Sequence, residues 1–159
     1  MDPNPQSLDP RAVALWRAQR LLRAATWGLM FSGGLGAGLA WIAGPTVGLI
    51  AAGTLLSLQI FLAVLWPPLQ HRHFRYTLRE ADLLVEQGVL FRSWTSVPYN
   101  RIQHVDTRQG PLERLLGLSR LLVFTASGPV ADGSIPGLDE AKATTLRDLL
   151  SRRGGDDGV

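Results

Sequence analysis

Hydrophobic positions follow two different rules along this chain. Across residues 24–66 they are nearly continuous, in two runs, 24–43 and 46–66, parted only by Gly44-Pro45. At 1.5 Å rise per residue, each run predicts a helix of about 30 Å, the hydrocarbon thickness of a bilayer. Proline cannot continue a helical ladder and glycine permits a sharp reversal. The pair therefore predicts a tight hairpin that leaves the membrane on the side it entered. Trp66-Pro67-Pro68 is expected to end the second helix.

From Phe74 the period becomes two. Tyr76 and Leu78 alternate with Arg75, Thr77 and Arg79, and Leu83, Val85 and Gln87 follow. Gly88 marks a bend, after which Val89, Phe91, Ser93, Thr95 and Val97 alternate with Arg92, Trp94 and Ser96. Residues 101–107 and 121–126 read as further strands, with turn residues at Pro98-Tyr99-Asn100, Gly110-Pro111, Gly128-Pro129 and Asp132-Gly133. One short helix is expected over 111–116. A closing amphipathic helix is expected over 138–153, with Leu138, Ala141, Leu146, Leu149 and Leu150 on one face and Gly154 as its stop. The expected fold class is thus a membrane α-helical hairpin plus an α+β domain, a small antiparallel β-barrel or strongly bent sheet capped by a C-terminal helix.

Charge sharpens this picture. Charged residues make up 18% of the chain, against about 25% in an average soluble protein, and residues 24–70 hold no Asp, Glu, Lys, Arg or His. Such a stretch excludes disorder. The roughly 110 other residues could hardly cover two fully apolar helices, which disfavours a soluble helical core. A cleaved signal peptide is disfavoured because the apolar sequence resumes within two residues. Arg11, Arg17, Arg20 and Arg23 precede the first run, and His71, Arg72, His73 and Arg75 follow the second. Positive flanks stay cytoplasmic, so the expectation is a multi-pass protein of a bacterial inner membrane with both termini in the cytoplasm. The arginine-rich stretch 11–23 suits a helix at an anionic surface, either as a plain positive flank or as a lipid sensor.

The first run carries Gly28, Ser32, Gly36, Ala40 and Gly44 at intervals of four, one small-residue stripe along a helix face. In lipid, close backbone approach drives helix association. The stripe therefore packs either against the second run of the same hairpin or against another protein's helix. No ionisable group lies inside either run, only Gln59 near the middle of the second, so ion-coupled transport through the hairpin is not expected.

Chemistry is sparse elsewhere. The chain has no cysteine, which excludes disulfides, thiol nucleophiles and thiolate zinc sites. His71-x-His73 lacks the carboxylates or thiolates of a metal set, no G-x-S-x-G elbow or phosphate loop occurs, and Asp139-Glu140 reads as a helix cap. No catalytic residue, metal site or cofactor is expected. Arg92, Arg101 and Arg108 lie on or beside neighbouring strands and are candidates to converge on a partner or a lipid headgroup. The alternative is salt-bridging with Glu86, Asp106 and Glu113, or simple attraction to an anionic leaflet. No basic stripe with stacking aromatics points to nucleic acid. Arg101, Ile102 and Gln103 form either a partner-facing segment or a core-supporting strand with Ile102 inside.

Several phrases carry a resemblance. Arg75-Tyr76-Thr77-Leu78, residues 85–90, and the stretch from Val97-Pro98-Tyr99 through Arg101-Ile102-Gln103 to Val105 resemble the bacterial pleckstrin-homology (PH)-like domains, and more closely the YdbS-like membrane proteins. Residues 112–118, 123–128 and 135–141 continue the likeness, which covers roughly 70–150. It implies a PH-like barrel with a C-terminal helix, preceded by a two-span hairpin and without enzymatic activity. With the residue pattern, the expected layout is an arm at 1–23, a hairpin at 24–68, a cytoplasmic domain at 69–153 and a disordered tail at 154–159. The implied partners are membrane lipids and either further copies or another PH-like membrane protein.

Overall fold

The computed structural model describes residues 4–126 and 131–156. Gly128-Pro129 and residues 157–159 of the expected tail lie outside them. The chain divides into two units, one made of residues 1–15 with 69–159 and the other of residues 16–68.

The larger unit holds seven described strands. β1 (Gln6–Ser7), β2 (Arg75–Leu78), β3 (Asp82–Gln87) and β4 (Ser93–Pro98) form one antiparallel sheet in that order. β5 (Ile102–Arg108), β6 (Leu118–Thr125) and β7 (Gly133–Asp139) form a second. The expected barrel is thus two sheets rather than one closed ladder. Pro98 and a 3₁₀ turn at Tyr99–Arg101 carry the chain from one sheet to the other. Leu83, Val85 and Val97 of the first sheet and Leu121, Val123 and Ile135 of the second are buried, giving the shared core. Val89 to Arg92 do not join a strand. Gly88 has φ +117°, and the Phe91 carbonyl occupies the space a side chain there would need, so the chain turns back on itself before Ser93.

α4 (Pro111–Leu115) is held by Glu113, whose carboxylate accepts from the Gly110 N–H at 2.6 Å and pairs with Arg120 at 3.2 Å. α5 (Glu140–Asp156) closes the unit. It begins two residues later than expected, because Leu138 belongs to β7, opposite Ser119. Its buried face is Ala143, Leu146 and Leu150, while Ala141 is exposed. It also runs through Gly154 to Asp156, beyond the expected stop. Arg153 anchors its end, donating to the Glu80 carbonyl at 3.2 Å and lying 4.8 Å over the Tyr99 ring.

The N-terminal arm is part of this unit. β1 pairs with β2, Gln6 opposite Tyr76, and the Tyr76 hydroxyl donates to Gln6 Oε1 at 2.9 Å. Leu8, Ala12 and Leu15 are buried at 2%, 0% and 0% exposure. Burying each leucine stabilises by about 1.5–3 kcal/mol. Arg11 then staples the arm down. Its guanidinium reaches Asp9 at 3.0 Å and Asp139 at 2.7 Å, and donates to the Leu116 carbonyl at 3.1 Å. These bonds hold the Asp9 and Asp139 carboxyls below the usual carboxylate range. Ala12 presses on Gly137, whose φ of +65° and lack of a side chain make room for it. Gln6–Ser7 are therefore built into the sheet and Leu8 into the core. The apolar runs are inserted between the first and second strands of the domain.

In the smaller unit the first apolar run is not one regular helix. α1 (Arg11–Arg23) passes through a π-helical turn at Ala24–Gly28 into α2 (Leu29–Ala43), which has 15 residues. Gly44, at φ +96°, makes the reversal alone and α3 (Pro45–Arg72) starts at once. α3 has 28 residues and is the one described helix long and apolar enough to cross a membrane by itself. Only 11% of its most apolar stretch is buried against protein, which argues against a soluble core helix. It continues through Pro67 and Pro68 instead of stopping. Proline at 68 leaves the Val64 carbonyl without its helical N–H, and Arg17 Nε donates there at 3.2 Å instead.

Candidate functional site

The expected convergence of Arg92, Arg101 and Arg108 does not occur. Arg92 precedes β4 and Arg101 follows it, so a strand's length, roughly 20 Å, separates them. Arg101 and Arg108 stand at opposite ends of β5, again roughly 20 Å apart. Arg101 is exposed in the 3₁₀ turn, and Arg108 lies 3.9 Å from Asp106. Gln103 is exposed at a register shift between Ile102 and His104, while Ile102 is buried beside it. A bulge places two neighbours on independent faces, so this segment combines a core residue with an outward amide.

Arg92 instead meets two arginines that were not singled out. With Arg72, His73, Arg75, Glu86 and Trp94 it lines a cleft of about 340 Å³. The register explains the meeting. Arg75 on β2 faces Glu86 on β3, which faces Trp94 on β4, and the β3–β4 turn brings Arg92 back over them. Three arginines against one glutamate make the cleft basic. Beside it Leu90, Phe91 and Trp94 are 75%, 91% and 61% exposed. A basic cleft edged by bare aromatic and aliphatic side chains suits an anionic surface with an apolar layer beneath. The signal for it is Val89-Leu90-Phe91-Arg92 directly after Gly88. Alternation alone read those residues as strand.

Neither histidine of the His71-x-His73 pair is arranged as a ligand. His71 Nε2 lies 3.1 Å from the Leu8 carbonyl and His73 Nδ1 2.7 Å from the Leu69 carbonyl, so these nitrogens serve as donors. No cluster of three metal-binding side chains occurs among the described residues.

The small-residue stripe lies within the hairpin. A first side-chain carbon on Gly36 would come 2.7 Å from Ala52 Cβ and 2.9 Å from the Gly48 carbonyl. One on Gly48 would strike the Gly36 carbonyl, and Ala40 Cβ at 2.6 Å. One on Gly28 would strike Gln59 Oε1. Ser32 is buried, its hydroxyl donating to the Gly28 carbonyl at 2.7 Å, and Gly44 forms the turn. By contrast Gly33, Gly34, Gly38 and Gly53 meet no described atom within 4 Å.

The family model for the bacterial PH domain matches residues 28–154, which take in most of the first apolar run, all of the second and every described strand except β1. The chain belongs to the bacterial PH domain family. It is 29% identical over 161 residues to the transmembrane protein YdbS of Bacillus subtilis (strain 168), covering 91% of this chain and 89% of that one. No solved structure matches it. Helices with antiparallel sheets agree with a PH-like domain, and the long apolar helix agrees with a transmembrane family. In this bacterial PH domain protein the domain's own first strand precedes the membrane segment and its remaining strands follow it.

Proposed function

We propose that this chain is a non-enzymatic, multi-pass protein of the bacterial inner membrane, with both termini cytoplasmic, that displays its PH-like domain for assembly with itself or with another PH-like membrane protein. The observation that carries this reading is the set of glycines that the contact between the two helices leaves open. Gly36 and Gly48 are consumed by the contact between the two helices, whereas Gly34, Gly38 and Gly53 are open. In lipid an open small-residue face gains van der Waals contact only by meeting another backbone. Native mass spectrometry of the full chain in mild detergent tests this. An assembly of two or more membrane subunits is expected, and Gly34→Leu with Gly38→Leu should dissociate it. A monomer at all concentrations overturns the reading.

A second reading is favoured by the Arg72, Arg75 and Arg92 cleft with Leu90 and Phe91 at its rim. There the domain recognises an anionic lipid surface. Residues 1–15 joined by a short linker to 69–159 should then bind phosphatidylglycerol vesicles. Arg75→Ala with Arg92→Ala should release them, and equal binding to phosphatidylcholine vesicles counts against it.

A further inference from the structure

The smaller unit contains a groove that neither reading uses. Arg20 and Arg23 stand at its mouth, Trp27 and Phe31 form one wall, and Gln59 and Leu62 form the other, around about 420 Å³. The π-helical turn at Ala24–Gly28 adds a residue to the coil and supplies Ala24, Trp27 and Gly28 to the groove's lining. Thr26 supports that turn by donating to the Leu22 carbonyl at 3.0 Å. Arg20 is held at the mouth, 5.9 Å over the Trp66 ring. Trp27 and Phe31 remain 71% and 67% exposed. Lower down, Gln59 Oε1 is shut against Gly28 and has no hydrogen-bond partner among the described residues.

We propose that this groove holds one anionic glycerophospholipid, its phosphate on Arg20 and Arg23, its glycerol region near the Gln59 amide and the start of a chain between Phe31 and Leu62. Charge and depth choose the occupant. Two guanidiniums at the entrance match a phosphate, and a partner helix entering there would need acidic residues placed inside its own apolar run. Gln59 lies seven residues below Trp66 on α3, about 10 Å deeper, where its amide N–H group can donate to a chain's ester carbonyl instead of facing hydrocarbon. The proposal rests on the membrane reading of the hairpin, but not on assembly. The lipid is fixed to one subunit and travels with it.

The full chain in mild detergent, supplied with equal phosphatidylglycerol and phosphatidylcholine, is read by native mass spectrometry, which resolves subunit number and bound lipid separately. The expected result is one phosphatidylglycerol per subunit, whatever the subunit number. Arg20→Gln with Arg23→Gln should weaken it by roughly tenfold to thirtyfold. Arg114→Gln with Arg152→Gln, the same charge loss on the soluble unit, should leave it in place. Ala24→Trp, which fills the groove while keeping both arginines, should also expel the lipid. Glycerol phosphate should not compete, because it has no chain for the apolar walls. Equal retention of both lipids, retention by the Arg20/Arg23 variant, or displacement by glycerol phosphate overturns the proposal. So does a protein helix found cross-linked to Trp27 and Phe31 in place of lipid.

Discussion

The two units of this protein solve the packing problem in opposite ways. The PH-like unit buries large side chains, Tyr76, Leu83, Leu121 and Leu150 among them, and ties polar side chains together across long stretches of sequence, as Arg11 with Asp139 and Tyr76 with Gln6. The hairpin unit is contiguous, buries few large side chains, and brings backbones together at Gly36 and Gly48. The difference matches the solvent proposed for each unit. In water, apolar area removed from contact is the main gain, so bulk is an asset. Between helices in lipid that gain is absent, so closeness matters and bulk at the contact is a liability.

The contrast can be broken most severely by cutting where the sequence pattern alone would cut. Residues 69–159 expressed without 1–15 lose β1, Leu8, Ala12, Leu15 and the Arg11 staple. The two leucines alone account for about 3–6 kcal/mol of burial, against a typical total of about 5–15 kcal/mol. The fragment should show no cooperative thermal transition by circular dichroism. Restoring 1–15 through a short linker should recover one, and cooperative melting of both fragments would mean the arm is dispensable.

A smaller break separates the two kinds of glycine in the hairpin. Gly48→Leu should splay the helices, costing about 1–3 kcal/mol or more and making residues 36 and 48 accessible to each other's cross-linking probes only at long reach. Gly53→Leu, on the open face, should leave hairpin stability in detergent unchanged. Equal effects from both variants would remove the distinction between the used and unused faces.

In the PH-like unit, Gly137→Ala combines a positive φ with a collision against Ala12 and should cost about 1–3 kcal/mol. The measurement is the melting temperature of the full chain. A neutral result would show that the arm can lift from β7 at no cost.

The smallest expected effect is electrostatic. Arg11 lowers the pKa of Asp9 and of Asp139 relative to the unfolded chain. Their contribution is present above the unfolded carboxylate pKa of about 3.9 and is lost as pH falls through the lower folded values. Stability should therefore be flat from neutral pH to about 5 and fall below about 4. Arg11→Gln should shrink that acid step, and because these groups are largely exposed the change should be slight and diminish with added salt. An acid step of unchanged size in the variant would detach it from this staple.

Much of this architecture was legible in the chain. The apolar runs, the reversal at Gly44, the strands 82–87 and 121–125 and the short helix after Gly110 all follow from local composition, because each is decided by neighbours within a few residues. Periodicity misled at three places where distant groups intervene. Leu138 reads equally well as helix or strand until Ser119 pairs with it. Val89 to Phe91 alternate like a strand, but the turn at Gly88 closes too tightly for them to pair. Pro67-Pro68 looks like a stop, but Arg17 supplies a hydrogen bond that a helix would otherwise lack.

The candidate site was less legible. Strand neighbours told which arginines are near in sequence, not which strand ends meet, so Arg92 was grouped with Arg101 and Arg108 rather than with Arg72 and Arg75. By itself the sequence determined where apolar runs, turns and alternating segments lie, since helix and strand periods are properties of short stretches. Only the tertiary structure decided that Gln6–Ser7 starts the sheet across the inserted hairpin, and which glycines touch. Those pairings join residues far apart along the chain, and the free energy that selects them comes from shared burial that no local window contains.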